Sequence, residues 1–470
     1  MFARLKPYEH YGSAPGQWIP PMPAHWRILP GSAVLRPVAT KNSGLVESTV
    51  LSLSYGKIIV KPAEKLRGLI PESFETYQIL EPGDIVVRPT DLQNDKTSLR
   101  VGHASDRGII TSAYLAMRTS GVSDSYAFAY LAALDQMKIF YGMGTGLRQN
   151  IELRDFKRLP VAVPPVDEQA AIVKYLGHAH TRIDRAISAK RNLIALLKEQ
   201  QLAVIHRSVT RGLDSSVPLR DSGIPWLGET PAHWPIIPIR YLARVGNGST
   251  PSRSESEYWV GGDYPWLNSS VANEAEIRHA SQFVTQRALD ECHLPKVAAN
   301  SVLVAITGQG KTRGKAAVLT LEATINQHLA YITPRSDQVD CRYLASVLDV
   351  AYGELRRISD DSGSTKGALT CADLKAFAVP VPPIEEQQGI RRFVAEVATE
   401  TETLVARLAS EIDLLREFRT RLTSDVATGQ LDVREIAVTL PELSDDALPD
   451  VDDELDELVE AELQLACDDE

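Results

Sequence analysis

The stretch Ile306 to Val318 reads ITGQGKTRGKAAV and sets Gln309, Lys311, Thr312, Arg313 and Lys315 in one glycine-rich loop between apolar flanks. Glycines let a backbone approach a partner closely, and these side chains offer several hydrogen-bond donors at short range. The chemistry of such a set is recognition. Lys and Arg meet phosphate oxygens, while Gln, Arg and Thr also match the donor and acceptor edges of nucleic-acid bases. The spacing departs from G-x-x-x-x-G-K-[ST], so the loop is not read as a nucleotide-phosphate cradle. Downstream, Asn326, Gln327 and His328 interrupt the otherwise apolar TINQHLAYI. They face either a partner or their own strand's neighbours, and both readings stand. Upstream, NGSTPSRSESEYW places Ser249, Thr250, Ser252 and Arg253 in a loop read as a contact surface or as a solvated turn.

The first third of the chain holds comparable sets. VVRPTDLQNDKTSLRVG clusters Arg88, Gln93, Asn94, Lys96 and Arg100; DRGIITSAY adds Arg107, Ser112 and Tyr114; GTGLRQN adds Arg148 and Gln149. The last aligns with Ser364 to Gly367, which carries Thr365 and Lys366. Each arginine has three candidate fates: a base edge, a phosphate or a surface salt bridge. Bond-making chemistry finds no comparable set. Asp360 and Asp361 lie in a Ser/Gly stretch without an evident basic partner, and His25 and His233 read as turn caps. Cys292, Cys341, Cys371 and Cys467 form no C-x-x-C pair, so neither a zinc site nor a disulfide framework is expected, and a reducing cytoplasm is the expected location.

The 470 residues exceed one ordinary core and suggest several domains, with 44% hydrophobic and 24% charged residues as in globular proteins. No apolar run is long enough to span a bilayer, and MFARLKPYEHYG lacks the core of a signal peptide. The net charge of −11 is unevenly spread: Pro441 to Glu470 holds 14 acids and no Lys or Arg, leaving 47 acids against 50 bases elsewhere. The body therefore has room for basic faces, and the tail reads as a solvated, mostly disordered appendage.

What positions the loops is an internal repeat. VPPVDEQ at Val163 to Gln169 returns as VPPIEEQ at Val381 to Gln387, PAHW at Pro23 to Trp26 returns at Pro231 to Trp234, and SVTRGLD is echoed by DVATGQLD. Before each Pro-Pro the pattern predicts a loop, a helical turn around Asp155 or Asp373, and a short strand. After it comes a proline-free segment of about 40 residues, with acids at the start suited to the helix dipole. Ile172, Leu176, Ala179, Ile183, Ile187, Ile194, Leu197 and Val204 make the first apolar stripe; Ile390, Val394, Val397, Leu404, Leu408, Leu415 and Leu422 make the second. Two such helices bury their stripes against each other as an antiparallel coiled coil or pack on their own domains; the matched lengths favour the pair.

This layout, with DSGIPWLGETPAHW ahead of the second variable region, resembles the specificity subunit of type I restriction–modification enzymes, up to about residue 435. The first lead-in, YGSAPGQWIPPMPAHW, departs from the pattern and is expected to be rearranged. The resemblance implies an α+β fold: two mixed α/β target-recognition domains separated by two long antiparallel helices forming an intramolecular coiled coil, a pseudo-two-fold repeat. The expected division is 1–162 for the lead-in and first recognition domain, 163–212 for the first spacer helix, 213–380 for the second lead-in and recognition domain, 381–430 for the second helix, and 431–470 for the acidic tail. It further implies a split double-stranded DNA target, two docked methyltransferase subunits and, in the nuclease form, two motor subunits, with S-adenosylmethionine, ATP and Mg on those partners and no cofactor on this chain. In agreement, the chain has no Asn/Asp-Pro-Pro-Tyr/Phe motif. A stand-alone DNA-binding scaffold and a methyltransferase-only system remain as alternatives.

Overall fold

The computed structural model describes residues 5–14, 19–54, 56–62, 73–90, 92, 93, 95, 98–143, 150–308, 311–335, 337–361 and 367–442. They form two compact units, one of residues 1–192 and 408–470, the other of residues 193–407, so each long helix contributes to both. The expected α+β class is what the chain adopts. In unit 1 a four-stranded antiparallel sheet runs in the order Leu35–Pro37, Leu115–Thr119, Ile85–Val87, Val101–His103. The helix Asp124–Gln136, N-capped by Ser123, packs its Tyr126, Tyr130 and Leu134 into the core beside it. In unit 2 a five-stranded sheet runs Ala243–Asn247, Leu329–Pro334, Ser301–Ala305, Ala316–Leu319, Glu276–Ile277. A three-stranded sheet, Gln282–Val284, Tyr264–Leu267, Thr324–Ile325, lies beside it in the chain.

The repeated phrases make the same local structure in each unit. Short helices Leu153–Arg158 and Cys371–Ala376 both start with a capping box, whose second member is Asp155 or Asp373. The strand that follows each pairs with the strand just after PAHW: Pro160–Val163 with Arg27–Pro30, and Ala378–Pro380 with Ile236–Pro238. After Pro-Pro the long helices run Val166–Arg211, 46 residues, and Ile384–Ala427, 44 residues.

The Glu and Gln of the repeated phrase are clamps. Glu168, 2% exposed, accepts hydrogen bonds from Trp26 Nε1 at 2.9 Å, His25 Nε2 at 2.8 Å and Tyr8 Oη at 2.5 Å. Glu386 accepts from Trp234 Nε1 at 2.9 Å and His233 Nε2 at 2.8 Å. Both histidines thus orient a carboxylate and are not turn caps. Tyr8, in the rearranged first lead-in, supplies a third donor, and burial together with Glu168 raises its phenol well above the ordinary value. Gln169 donates to Pro164 O and accepts from Ser123 N, the cap residue of the next helix; Gln387 donates to Pro382 O and accepts from Asp340 N, which caps Cys341–Val350. One Glu-Gln pair ties lead-in, long helix and recognition region together.

The echo after each long helix completes the pattern. Gly212 and Gly429 both have φ +75° and end their helices in the left-handed conformation that favours glycine. A Cβ on Gly212 would press on Trp234, and one on Gly429 would lie 2.4 Å from Pro23 and 2.9 Å from Trp26. The second helix therefore closes on the first PAHW, which brings Asp432 onto Lys6 in a bridge. Residues from 431 onward are accordingly not all tail. The helix Arg434–Thr439 belongs to unit 1, with Val433 and Ala437 buried in it. The tail's remaining expectation falls on 443–470, outside the described residues.

The helices run antiparallel within each unit. In unit 1, His180 bonds Thr423 at 2.8 Å, Asp184 pairs with Arg419 at 2.8 Å, and Lys190 with Glu411 at 2.5 Å. In unit 2, Ile205 and Val209 share a core with Ile390 and Val394. One expected stripe member is out of place: Leu404 is 46% exposed, and Val405 turns inward between Thr401 and Leu408. A 3.6-residue helix drifts relative to a 3.5-residue repeat, so the inward face passes from one leucine to its neighbour.

Removing the Glu168 carboxylate by Glu168→Ala strands the buried Tyr8 and Trp26 donors and is expected to cost about 2–4 kcal/mol, with Glu168→Gln losing less. Urea unfolding followed by tryptophan fluorescence measures it, and a change below about 0.5 kcal/mol would remove the clamp from the fold's supports. A second expectation concerns His180, whose pKa burial and then Arg419 lower to about 4 from 6.5. The unfolded chain binds this proton first, so the contribution is whole above pH 6.5 and is lost as pH falls toward 4. The loss is of order 2 kcal/mol for this partly screened group. The difference between wild type and His180→Gln over that window isolates it; parallel pH curves would contradict the assignment.

Candidate nucleic-acid interface

In unit 2 the chain leaves the short strand Thr324–Ile325 and enters Leu329–Pro334 through Asn326, Gln327 and His328. Asn326 is buried, and its Oδ1 accepts from His328 N at 3.0 Å. The residue that serves its own turn is thus Asn326, which leaves Gln327 and His328 exposed. The loop after Asn247 is pulled against this turn: Ser249 N donates to Ile325 O at 3.0 Å. A Cβ on Gly248 would sit 1.7 Å from the same oxygen, so only glycine permits the approach.

That approach joins three segments by side chains. Thr250 Oγ1 donates to Gln327 Oε1 at 2.5 Å, Gln327 Nε2 donates to His328 Nε2 at 3.2 Å, and His328 Nδ1 lies 2.6 Å from Thr307 Oγ1. Thr307 opens the hairpin loop between strands Ser301–Ala305 and Ala316–Leu319, which carries the exposed Lys311 and the half-buried Thr312 and Lys315. On the other side Arg253 lies over the Trp259 ring at 3.8 Å, near Trp266 at 5.1 Å, and donates to Gln282 Oε1 at 2.8 Å. Trp259 and Trp266 hold the loop by donating to Ser252 O and Ser249 O. A guanidinium laid on an indole keeps its charge while losing freedom, so Arg253 is presented in a set direction. Ser252 is exposed and shares a hydrogen bond with Ser254.

Two arginines of the expected set are structural. Arg313 is 4% exposed and ion-paired with Asp360, at the end of the helix Tyr352–Asp361, so it braces the hairpin from beneath. Asp360 therefore does have a basic partner and sits on a helix. Arg100 is fully buried: its guanidinium donates to Thr90 O at 2.7 Å and Asp95 O at 2.6 Å, and its N–H to Asp135 at 2.6 Å. A buried guanidinium saturated by carbonyls cannot reach a duplex without unfolding its loop.

Unit 1 shows no equivalent network among the described residues. Arg88 pairs with Asp95 at 3.5 Å, Arg107 with Glu47 and Glu81, and Tyr114 packs partly buried on the core, while Gln93 is exposed. Ser112 donates to Thr76 O. Asn94, Lys96, Arg148, Gln149, Gln309, Thr365 and Lys366 lie outside the described residues. Composition alone missed Trp259, Trp266, Gln282 and Thr307. The signal was there for the tryptophans, as SEYWVGGDYPW interleaves aromatics a short distance past Arg253. Among the described residues no helix is long and apolar enough to cross a membrane, and no group of three His, Cys, Asp or Glu could hold a metal ion.

Residues 231–413 match the family described as the type I restriction modification DNA specificity domain. Over 177 residues the chain is 23% identical to the specificity subunit of the type I restriction enzyme EcoR124I/EcoR124II of Escherichia coli, covering 37% of this chain and 44% of that relative. Over 167 residues it is 30% identical to the MjaIX specificity subunit of Methanocaldococcus jannaschii, covering 35% and 38%. The matches thus span less than half the length of these curated relatives. Among solved structures, a chain from work on complex assembly and conformational transition of the type I R-M system superposes with TM-score 0.57 at 17% identity, over 86% of this chain and 98% of that one. The HsdS subunit from Thermoanaerobacter tengcongensis does so with TM-score 0.50 at 17% identity, over 87% and 98%. At that identity the likeness speaks for the fold, and the sequence match places residues 231–413 with the type I restriction modification DNA specificity domain.

Proposed function

We propose that this chain is the DNA-reading subunit of a type I restriction–modification complex, each unit reading one half of a split duplex target. The observation that carries the reading is the exposed Thr250–Gln327–His328–Thr307 network, flanked by Arg253 and Lys311. Exposed amide, imidazole and hydroxyl groups held in mutual register suit base edges, as does the oriented guanidinium of Arg253, while Lys311 suits phosphates. In unit 1 the same role falls to Gln93, to Arg88 and Arg107, whose carboxylate partners can be exchanged for phosphates, and to the loop residues around Arg148. The chain supplies the address and no bond-making chemistry. Methyltransferase subunits, and motor subunits where the nuclease form exists, dock on it and carry S-adenosylmethionine, ATP and Mg. Support for docking comes from apolar residues on the outer faces of the long helices: Leu193, Leu196 and Leu202 in unit 2, and Leu414 and Phe418 in unit 1. A leucine left in water on an otherwise well-packed helix suits a partner helix.

Binding to duplexes of varied sequence and salt tests this reading. Lys311→Ala should weaken binding to all sequences alike and lower the salt slope by about 1, whereas Arg253→Ala should weaken or relax one half-site by about 1–3 kcal/mol. Loss of discrimination in both halves, with folding intact, would contradict modular reading. Arg313→Ala serves as the contrast, lowering the unfolding midpoint because Asp360 loses its partner. Deleting the chain from Leu443 onward should leave the recognised sequence unchanged and tighten non-specific binding at low salt, since 13 of the tail's acids go with it. An altered recognition sequence would give the tail a reading role.

A further inference from the structure

We propose that Gln327 reads an adenine in one half of the target, and that His328 and Thr250 fix which way round its amide faces. The inference rests on the DNA-recognition reading above and specifies what that site recognises. An amide carries a donor and an acceptor side by side, and adenine offers N7 as acceptor and N6–H as donor in the major groove. The same amide turned by half a revolution presents the reversed pattern, so a glutamine discriminates only where its orientation is held. Here it is held from both ends. Thr250 Oγ1–H occupies one lone pair of Oε1, and Nε2–H points at His328 Nε2.

The imidazole couples that choice to its own tautomer. With the amide nitrogen facing Nε2, that ring nitrogen must be the acceptor, so the ring proton sits on Nδ1 and is donated to Thr307 Oγ1 at 2.6 Å. Turning the amide over would require the ring proton to move to Nε2 and both threonine hydroxyls to turn, so the four side chains switch together or not at all. The backbone beneath does not yield: His328 N is held by buried Asn326, and His328 O accepts from Ile306 N at 2.9 Å. Thr250 is likewise positioned by the Gly248 contact with Ile325. Gln327 keeps one N–H and one Oε1 lone pair without a partner among the described residues, which is the complement of adenine's edge. Because the side chain is ordered before binding, little rotamer freedom remains to be lost on contact.

The test uses the full chain and a random-sequence duplex library, with bound duplexes sequenced to give a base preference at every position. Wild type should enrich a split motif. Gln327→Ala should lower the preference for adenine at one position at least fivefold and leave the other positions alone. Gln327→Glu, which offers acceptors only, should move that position toward cytosine, whose N4 is a donor. His328→Ala should retain binding but weaken the preference at the same position. Gln327 is exposed, so these variants should keep the wild-type unfolding midpoint. If wild type enriches a motif and Gln327→Ala relaxes no position, or relaxes one that is not adenine, the assignment to adenine fails. If His328→Ala discriminates as well as wild type, the orienting role fails. If wild type enriches no motif at all, the DNA-recognition reading itself falls.

Discussion

A carboxylate at the start of each long helix, held by the PAHW segment, is the constraint from which the remaining architecture follows. Glu168 is taken out of water and must be fully satisfied, Glu386 is half-buried, and both accept from indole and imidazole N–H groups of the PAHW segment more than 140 residues earlier. That requirement draws the lead-in against the helix start. The strand after PAHW then meets the strand before Pro-Pro, and the next-door glutamine amide fastens the recognition region through a helix cap. The prolines just ahead of each helix carry no N–H that would be left without an acceptor, and they set the chain direction. A small set of directional hydrogen bonds thus fixes the angle at which sheet, helix and lead-in join.

Polar residues recur inside the helix pairing, where His180, Lys190, Thr401, Thr423 and Arg419 interrupt the apolar layers. An uninterrupted leucine seam would tolerate sliding by a heptad, because every layer would look alike. Pairs such as Asp184 with Arg419 can be satisfied in one register only, which trades some stability for a defined alignment. The same logic operates at the recognition surface. Arg100 and Arg313 brace the loops of their own units, while Thr250 and Gln327 are placed to within a hydrogen bond by the Gly248 approach to Ile325 and the Asn326 turn.

The sequence by itself determined the elements and their repetition. The proline-free heptads set two helices within a few residues of their observed ends, Asp155 and Asp373 marked short helical turns, and two copies of PAHW and VPP[VI][DE]EQ marked equivalent joints. These are local properties, decided by backbone sterics, periodicity and dipoles over a turn or two, so a linear reading reaches them. The partners of the repeated Glu and His were present in that reading as motifs but not as a pair, since nothing local says that Trp26 meets Glu168.

Only the tertiary structure decided which polar residues face outward. Arg313 and Lys311 are two positions apart in the same glycine-rich loop, yet one is buried on Asp360, 47 residues away, and the other is exposed. Arg100 and Arg88 diverge in the same way. An ionised side chain goes wherever its desolvation is best compensated, and the compensating group comes from a distant segment brought near by packing. Asn326 and Gln327, adjacent and both carrying amides, separate on the same principle: the turn needs one acceptor and takes it from Asn326, leaving the neighbouring amide to be oriented by Thr250 and His328. Composition names the chemistry available in a loop; the packing of remote segments decides which of it reaches the surface.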